Sequence, residues 1–504
     1  MSKSFVKRVI SSLATLAFVV GLVVLSPKKA DAIPAFSRMY GTSCSTCHVD
    51  FPKLNDFGKA FKDAGFKFPK DDETFVKVQP VMLGSPAQKE LWPKTIWPGS
   101  IPGMPPIGLR YNQFFQVVSR DSGKLAPTDG FIPRTDFQPG YFSIFTAGNF
   151  GSGIAFWVDD DISVAGDNSN GSLGDGYLKF VDLGRFAKLP KDSLSLRAGQ
   201  FELDLPFTQA RSYDLSNYDI YSEANVGGPL QPSVNNVSTL TNPGRGVEVS
   251  GGHNYGGYHY SVAFIDQNTN PNTLVAGSTT TLPSANAVSF VSDSNFKDIY
   301  ARFAYRFNLE RNKASRNDVQ AAGPMGPRDH TSLRVGSYYF YGRSAQTFGT
   351  TTTSTVHEPF YRVGGDLDFH YRNFNIYGLY MYARDHNVLV DPVSGDVLGV
   401  GAPAHFSGSF VQADYLALPW LMTIMRWDRV QSSADAMNAM LSVNGANPTF
   451  WFDSTRNRFT PGVQFLIHAN IKASFEYQIR PRQAVVADEP FRTNTALTAL
   501  EFVY

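Results

Sequence analysis

Cysteine is nearly missing from this chain, with two residues in 504, so no disulfide framework can hold the fold together. A dominant charge sign is missing too, since 45 Lys and Arg stand against 44 Asp and Glu. That balance excludes the basic excess a nucleic-acid partner would require. Beyond the first 25 residues no apolar run reaches the roughly 20 residues of a membrane-spanning helix. Any membrane crossing therefore has to be made by strands.

The N-terminus carries Lys3, Lys7 and Arg8, then an apolar stretch from Val9 to Leu25, then a small-residue exit at Ala30-Asp31-Ala32. That order is expected of an exported leader over residues 1–32, with the mature chain starting at Ile33; an uncleaved anchor is the other reading. Removing five basic residues and one acidic one leaves 40 against 43, a near-neutral chain.

Both cysteines fall in one motif, Cys44-Ser45-Thr46-Cys47-His48. Two thiols at this spacing followed by His suit covalent attachment of a c-type haem, the thiols bonding the porphyrin vinyl groups and the imidazole reaching the iron. Cys44 and Cys47 are thus the expected haem attachment points and His48 the proximal ligand. A zinc site would need a second ligand pair, and neither a further Cys nor a close His pair follows at the usual spacing. Asn55 to Gly65 reads as a short helix capped by Asn55, with Phe57, Ala60, Phe61 and Ala64 on one face. That stripe suits an ordinary core or the cover of a flat porphyrin. For the sixth iron position Met82 is the candidate, with Met104 and Met39 behind it. From Phe66 to Gly108 the density of Pro and Trp predicts an extended connector rather than a helical body.

After residue 108 the period becomes two. Ile471, Ala473, Phe475, Tyr477 and Ile479 alternate with Lys472, Ser474, Glu476, Gln478 and Arg480; similar runs cover 299–307 and 361–372. Alternation alone fits a soluble sandwich as well as a membrane barrel. Sixteen strands are expected, starting near residues 109, 141, 153, 176, 193, 245, 256, 297, 331, 359, 373, 408, 421, 457, 471 and 494. Long polar joins alternate with tight ones, except that 308–330 is long on the tight side, and the chain ends on Tyr504. An even strand count with alternating join lengths predicts an outer-membrane β-barrel over residues 109–504, joined to a haem domain and connector over 33–108. So wide a barrel leaves an aqueous lumen, and the haem segment is the expected plug. Arg110, Arg302, Arg306, Arg334, Arg362, Arg372 and Arg480 then point inward with Asp366, Asp368, Glu476, His370 and His468. Asp159-Asp160-Asp161 is expected near a loop edge.

The segments Ile33-Pro34-Ala35-Phe36-Ser37-Arg38, Cys44 to His48, and Phe51 to Lys62, followed by a long barrel, resemble the fused cytochrome-porin family of bacterial outer membranes, known from iron-oxidising bacteria. The likeness in sequence covers about thirty residues, and that of the barrel is one of architecture. The resemblance implies one haem c on Cys44, Cys47 and His48, taking electrons from extracellular iron and passing them to a periplasmic c-type cytochrome. It also implies a location in the outer membrane of a Gram-negative-type bacterium, and an iron(II) oxidase activity with a cytochrome as acceptor. The connector is longer than in the iron-oxidising members. Outward transfer to extracellular acceptors, a passive porin with a haem-binding appendage, and a haem peroxidase are the competing readings.

Overall fold

The computed structural model describes residues 35–118 (except 94–99, 102, 104 and 105), 135–137, 141–163 (except 151 and 152), 172–208, 214–222, 240–266 (except 242), 296–309, 331–348, 354–400 (except 387 and 391–396), 403–432, 455–481 and 494–504. The leader at 1–32, Ile33-Pro34, Met104 and most of the long joins lie outside the described residues.

Among the described residues sixteen long antiparallel strands close into one barrel. In chain order they are β1 Ile107–Val118, β2 Tyr141–Asn149, β3 Ile154–Ser163, β4 Ser172–Phe180, β5 Ser195–Phe201, β6 Gly244–Gly252, β7 Gly257–Asp266 and β8 Asp298–Asn308. The second half is β9 Ser332–Phe348, β10 Ser354–Tyr371, β11 Phe374–Asp385, β12 Ala404–Leu418, β13 Leu421–Ser432, β14 Thr455–His468, β15 Ile471–Gln478 and β16 Thr495–Val503. A two-residue strand, Thr135–Asp136, adds beside β1. The seam is β16 on β1, in register from Thr495 opposite Val118 to Val503 opposite Arg110. Closure leaves no unpaired sheet edge, which is what a strand protein in lipid requires.

The expected starts correspond one to one with these strands. β4, β10 and β12 begin at Ser172, Ser354 and Ala404, ahead of the expected 176, 359 and 408. Backbone pairing there runs past the apolar band into residues such as Thr355, His357 and Glu358, which carry no alternation to read.

Side-chain direction decides between water and lipid. Phe303, Tyr305, Phe307, Val363, Leu367, Phe475 and Tyr477 are exposed on the outside, while Arg302, Arg306, Arg362, Asp366, Glu476 and Arg480 between them are buried inside. Polar groups in and apolar groups out is the inverse of a soluble sandwich and matches a membrane-spanning barrel. One expectation fails here. Arg372 lies exposed in the β10–β11 turn with a φ of 53°, where two-residue turn geometry points it away from the lumen. Asp159 to Asp161 lie in the last five residues of β3, next to the long join as expected, and Asp159 accepts from the Trp157 indole and the Asp175 amide.

Two layers occupy the lumen. The N-terminal segment sits at the tight-turn end. Arg38 donates to the Ile107 carbonyl (2.8 Å), the Asn149 amide to Phe66 (3.4 Å), and the backbone amide of Asn254 to Asp63 (3.1 Å). Toward the long-join end, residues 203–208 and 214–222, between β5 and β6, fold inward. Leu203, Leu205, Tyr218 and Ile220 pack with Tyr300, Phe340, Phe360, Phe406 and Phe410 of the wall. Glu476 accepts the amides of Leu215 (2.6 Å) and Ser216 (3.0 Å), and Arg426 donates to the Ser216 carbonyl (3.1 Å).

Candidate haem-binding site

Cys44 and Cys47 flank one turn of 3-10 helix, Cys44–Thr46, closed by the Cys47 amide on the Cys44 carbonyl at 3.1 Å. His48 opens a short strand, His48–Asp50, paired with Lys53–Leu54. Its Nδ1 is 3.2 Å from the Pro52 carbonyl, the bond that fixes the ring and its tautomer and leaves Nε2 as the nitrogen to meet a metal. Burial pulls the His48 pKa down to about 4, so the imidazole is held neutral, the form that ligates iron. Burial likewise pushes the Cys47 thiol up to about 12 and raises Cys44.

The helix Asp56–Asp63 forms where its cap predicts. Asn55 is fully buried, and its Oδ1 accepts the Gly58 amide at 2.9 Å. Its own amide donates to the Cys47 carbonyl (2.9 Å) and its Nδ2 to Thr46 (3.0 Å), so one side chain both caps the helix and clasps the cysteine turn. Gly58 is required by close approach: an added Cβ would stand 2.1 Å from the Cys47 carbonyl oxygen. Phe57 and Phe61 share an aromatic cluster with Tyr40, Phe66 and Phe68, against which Cys47, Phe36 and Met39 pack. Ala60 instead meets Tyr255 of the β6–β7 turn. The expected stripe therefore splits, its phenylalanines beside the cysteine turn and Ala60 against the barrel.

Further contacts tie this peptide to the wall. Asp56 takes a two-pronged pair from Arg306, with Nη2 to Oδ2 at 3.1 Å. Lys472 donates to the Phe51 carbonyl at 2.7 Å, Lys53 pairs with Asp414 at 3.3 Å, and Val49 packs on Met422 and Ile424. Sequence reasoning missed Lys53, Asn55, Asp56 and Lys472 as site residues. The Asn55 cap signal was legible, but its second role depends on Cys47 lying across the helix end.

Met82, the expected sixth ligand, lies in the strand Val81–Met82 opposite Ser100 and is 55% exposed. None of the described hydrogen bonds or hydrophobic clusters joins it to the cysteine turn. Arg302 and Arg362 are engaged by Asp366 and Asp385 respectively, Arg110 by Glu501, and Arg480 by Asp219. Arg334 lies between Asp366 and Asp368. The residues present fit a c-type haem. They supply two thiols on one turn, an imidazole anchored through its other nitrogen, and an apolar aromatic wall beside Cys47.

No family model and no curated protein matches the chain. Among solved structures, the anion-selective porin from Comamonas acidovorans is similar at 8% identity over 79% of this chain and 98% of that one, with a TM-score of 0.45. OprB from Pseudomonas putida is similar at 10% identity over 79% and 94%, with a TM-score of 0.45. OmpF from Salmonella typhi is similar at 10% identity over 79% and 97%, with a TM-score of 0.41. The barrel described above rests on this chain's own strand pairing and not on those likenesses.

Proposed function

We propose that this protein is an outer-membrane electron carrier. In this reading one haem c, attached to Cys44 and Cys47 and ligated by His48, passes electrons from extracellular ferrous iron to a periplasmic c-type carrier. The observation that supports it is the seat of the cysteine turn, bound to the inner wall through Arg306, Lys472 and Asp414 at the tight-turn end. Tight turns of such barrels face the periplasm and long loops face outside. The apolar band is about 25 Å tall, and a cofactor inside it stands closer to the outer surface than one in the periplasm. The haem, when bound, supplies the one-electron couple. The chain's own residues hold the imidazole neutral and oriented, and surround the cysteine turn with apolar side chains.

The test is rapid mixing of the purified, oxidised holoprotein with ferrous iron, following the reduced haem band. Fast reduction supports inward transfer. A haem that stays oxidised with iron but reduces with a stronger donor moves outward transfer to the front, and a large steady conductance in planar bilayers would favour the passive porin.

A further inference from the structure

The inward segment between β5 and β6 stands between the long-join end and the cysteine turn, so an electron arriving from outside has that layer to cross. Its aromatic side chains form a continuous column with those of the wall. Tyr221 lies 6.3 Å from Tyr218, centroid to centroid, and Tyr218 stacks on Phe410 of β12 at 4.2 Å. Phe410 meets Phe207 at 5.6 Å, and Phe207 stacks on Tyr377 of β11 at 4.7 Å. The ammonium of Lys53 sits 4.5 Å over the Tyr377 ring. Lys53 follows Pro52, whose carbonyl is hydrogen-bonded to His48 Nδ1 at 3.2 Å.

We infer that this column, Tyr221, Tyr218, Phe410, Phe207, Tyr377 and Lys53, is the electron path from the outer end of the barrel to the His48 imidazole. The inference rests on the haem reading above and deepens it by naming the route. Tunnelling decays more slowly through packed rings and hydrogen bonds than across gaps, and here each ring touches the next. The rings act as a bridging medium and are not themselves oxidised. The extracellular donor loses one electron, the ferric haem gains it, and no bond forms or breaks. A second aromatic run, Phe360, Phe340, Tyr300 and Tyr338, packs in the same core on β8, β9 and β10. Among the described ring contacts none joins that group to the N-terminal segment, which makes it an internal control.

The experiment uses the full-length holoprotein with Ser222→Cys at the end of the helix Asp219–Ser222. With both native cysteines in thioethers, this thiol is the one a ruthenium bipyridine maleimide labels. Flash excitation injects an electron, and haem reduction is timed optically. Phe410→Leu and Tyr377→Leu are expected to slow reduction several-fold while leaving the haem spectrum and midpoint potential unchanged. Tyr377→Phe, which keeps the ring, and Phe340→Leu, off the column, are expected to retain the parental rate. Should Phe410→Leu fail to reach the folded barrel form, Phe207→Leu at the partly buried neighbouring ring reads the same step.

Parental rates in the leucine variants overturn the route. Flash transfer that slows in those variants, in a protein whose haem ferrous iron does not reduce, supports the route and rejects the iron donor. A chain that carries no covalent haem overturns both.

Discussion

Asp56 of the N-terminal segment and Arg306 of β8, 250 positions apart in the chain, meet in a two-pronged ion pair in which both side chains are buried. The pair locks the cap of the helix beside the cysteine turn onto the barrel wall. Deleting one partner of a buried pair costs about 3–5 kcal/mol, here toward the lower end because Asp56 keeps Lys59 at 3.3 Å. Arg306→Met is therefore expected to loosen the plug while the barrel persists. Limited proteolysis should cut at Lys59 or Lys62 in the variant and spare the parent; equal resistance in both would show that the pair does not hold the plug.

Asn55→Ala removes a helix cap, a loss of roughly 1–2 kcal/mol, and also the amide that clasps the Thr46 carbonyl. Lower covalent haem content is expected, read by haem-stained gels against total protein. Asn55→Asp keeps the capping oxygen but not the amide donor and should fall between the two. Full haem loading in Asn55→Ala would leave the clasp without a role.

Gly58→Ala sets two effects against each other. Alanine favours a helix interior by about 0.5–1 kcal/mol, yet its Cβ would meet the Cys47 carbonyl oxygen at 2.1 Å, a backbone clash no rotamer relieves. The clash wins. The variant should lose haem attachment and protease resistance in the plug, whereas a gain in thermal stability would reverse that sign.

Glu476 anchors the inward segment through the amides of Leu215 and Ser216 and the Ser216 hydroxyl. Glu476→Ala leaves these buried donors without their acceptor, a loss of about 1–3 kcal/mol for each. Release of the segment should appear as larger and noisier single-channel conductance in planar bilayers than the parent gives. Identical traces would mean that the segment stays in place without it.

Met82→Leu is expected to leave the visible haem spectrum and midpoint potential unchanged, because Met82 is 55% exposed on its short strand. A loss of low-spin character in this variant would restore Met82 as the sixth ligand.

The strands were legible because the information is local. Ile471 to Arg480 alternate residue by residue, and a strand with two different environments on its two faces can be read from one segment alone. The capped helix at Asn55 was legible for the same reason. Which environment was polar was not: the same alternation serves a soluble sandwich, and only closure of β16 on β1 puts Arg302 and Glu476 inside and Phe303 and Phe475 outside. Arg372 was misplaced because alternation was carried one residue beyond the strand, into a turn whose φ of 53° breaks it.

The sequence by itself determined the sixteen strands, the cysteine turn with its adjacent imidazole, and the capped helix that follows, since each depends on neighbours within a few residues. Tertiary structure alone decided that Lys53 meets Asp414, that Lys472 holds the Phe51 carbonyl, and that residues 214–222 turn inward onto Arg426, Arg458 and Glu476. A lumen charge has many oppositely charged candidates in the chain and no local signal to rank them. The choice is made when the barrel closes and desolvation penalises every charge left without a partner.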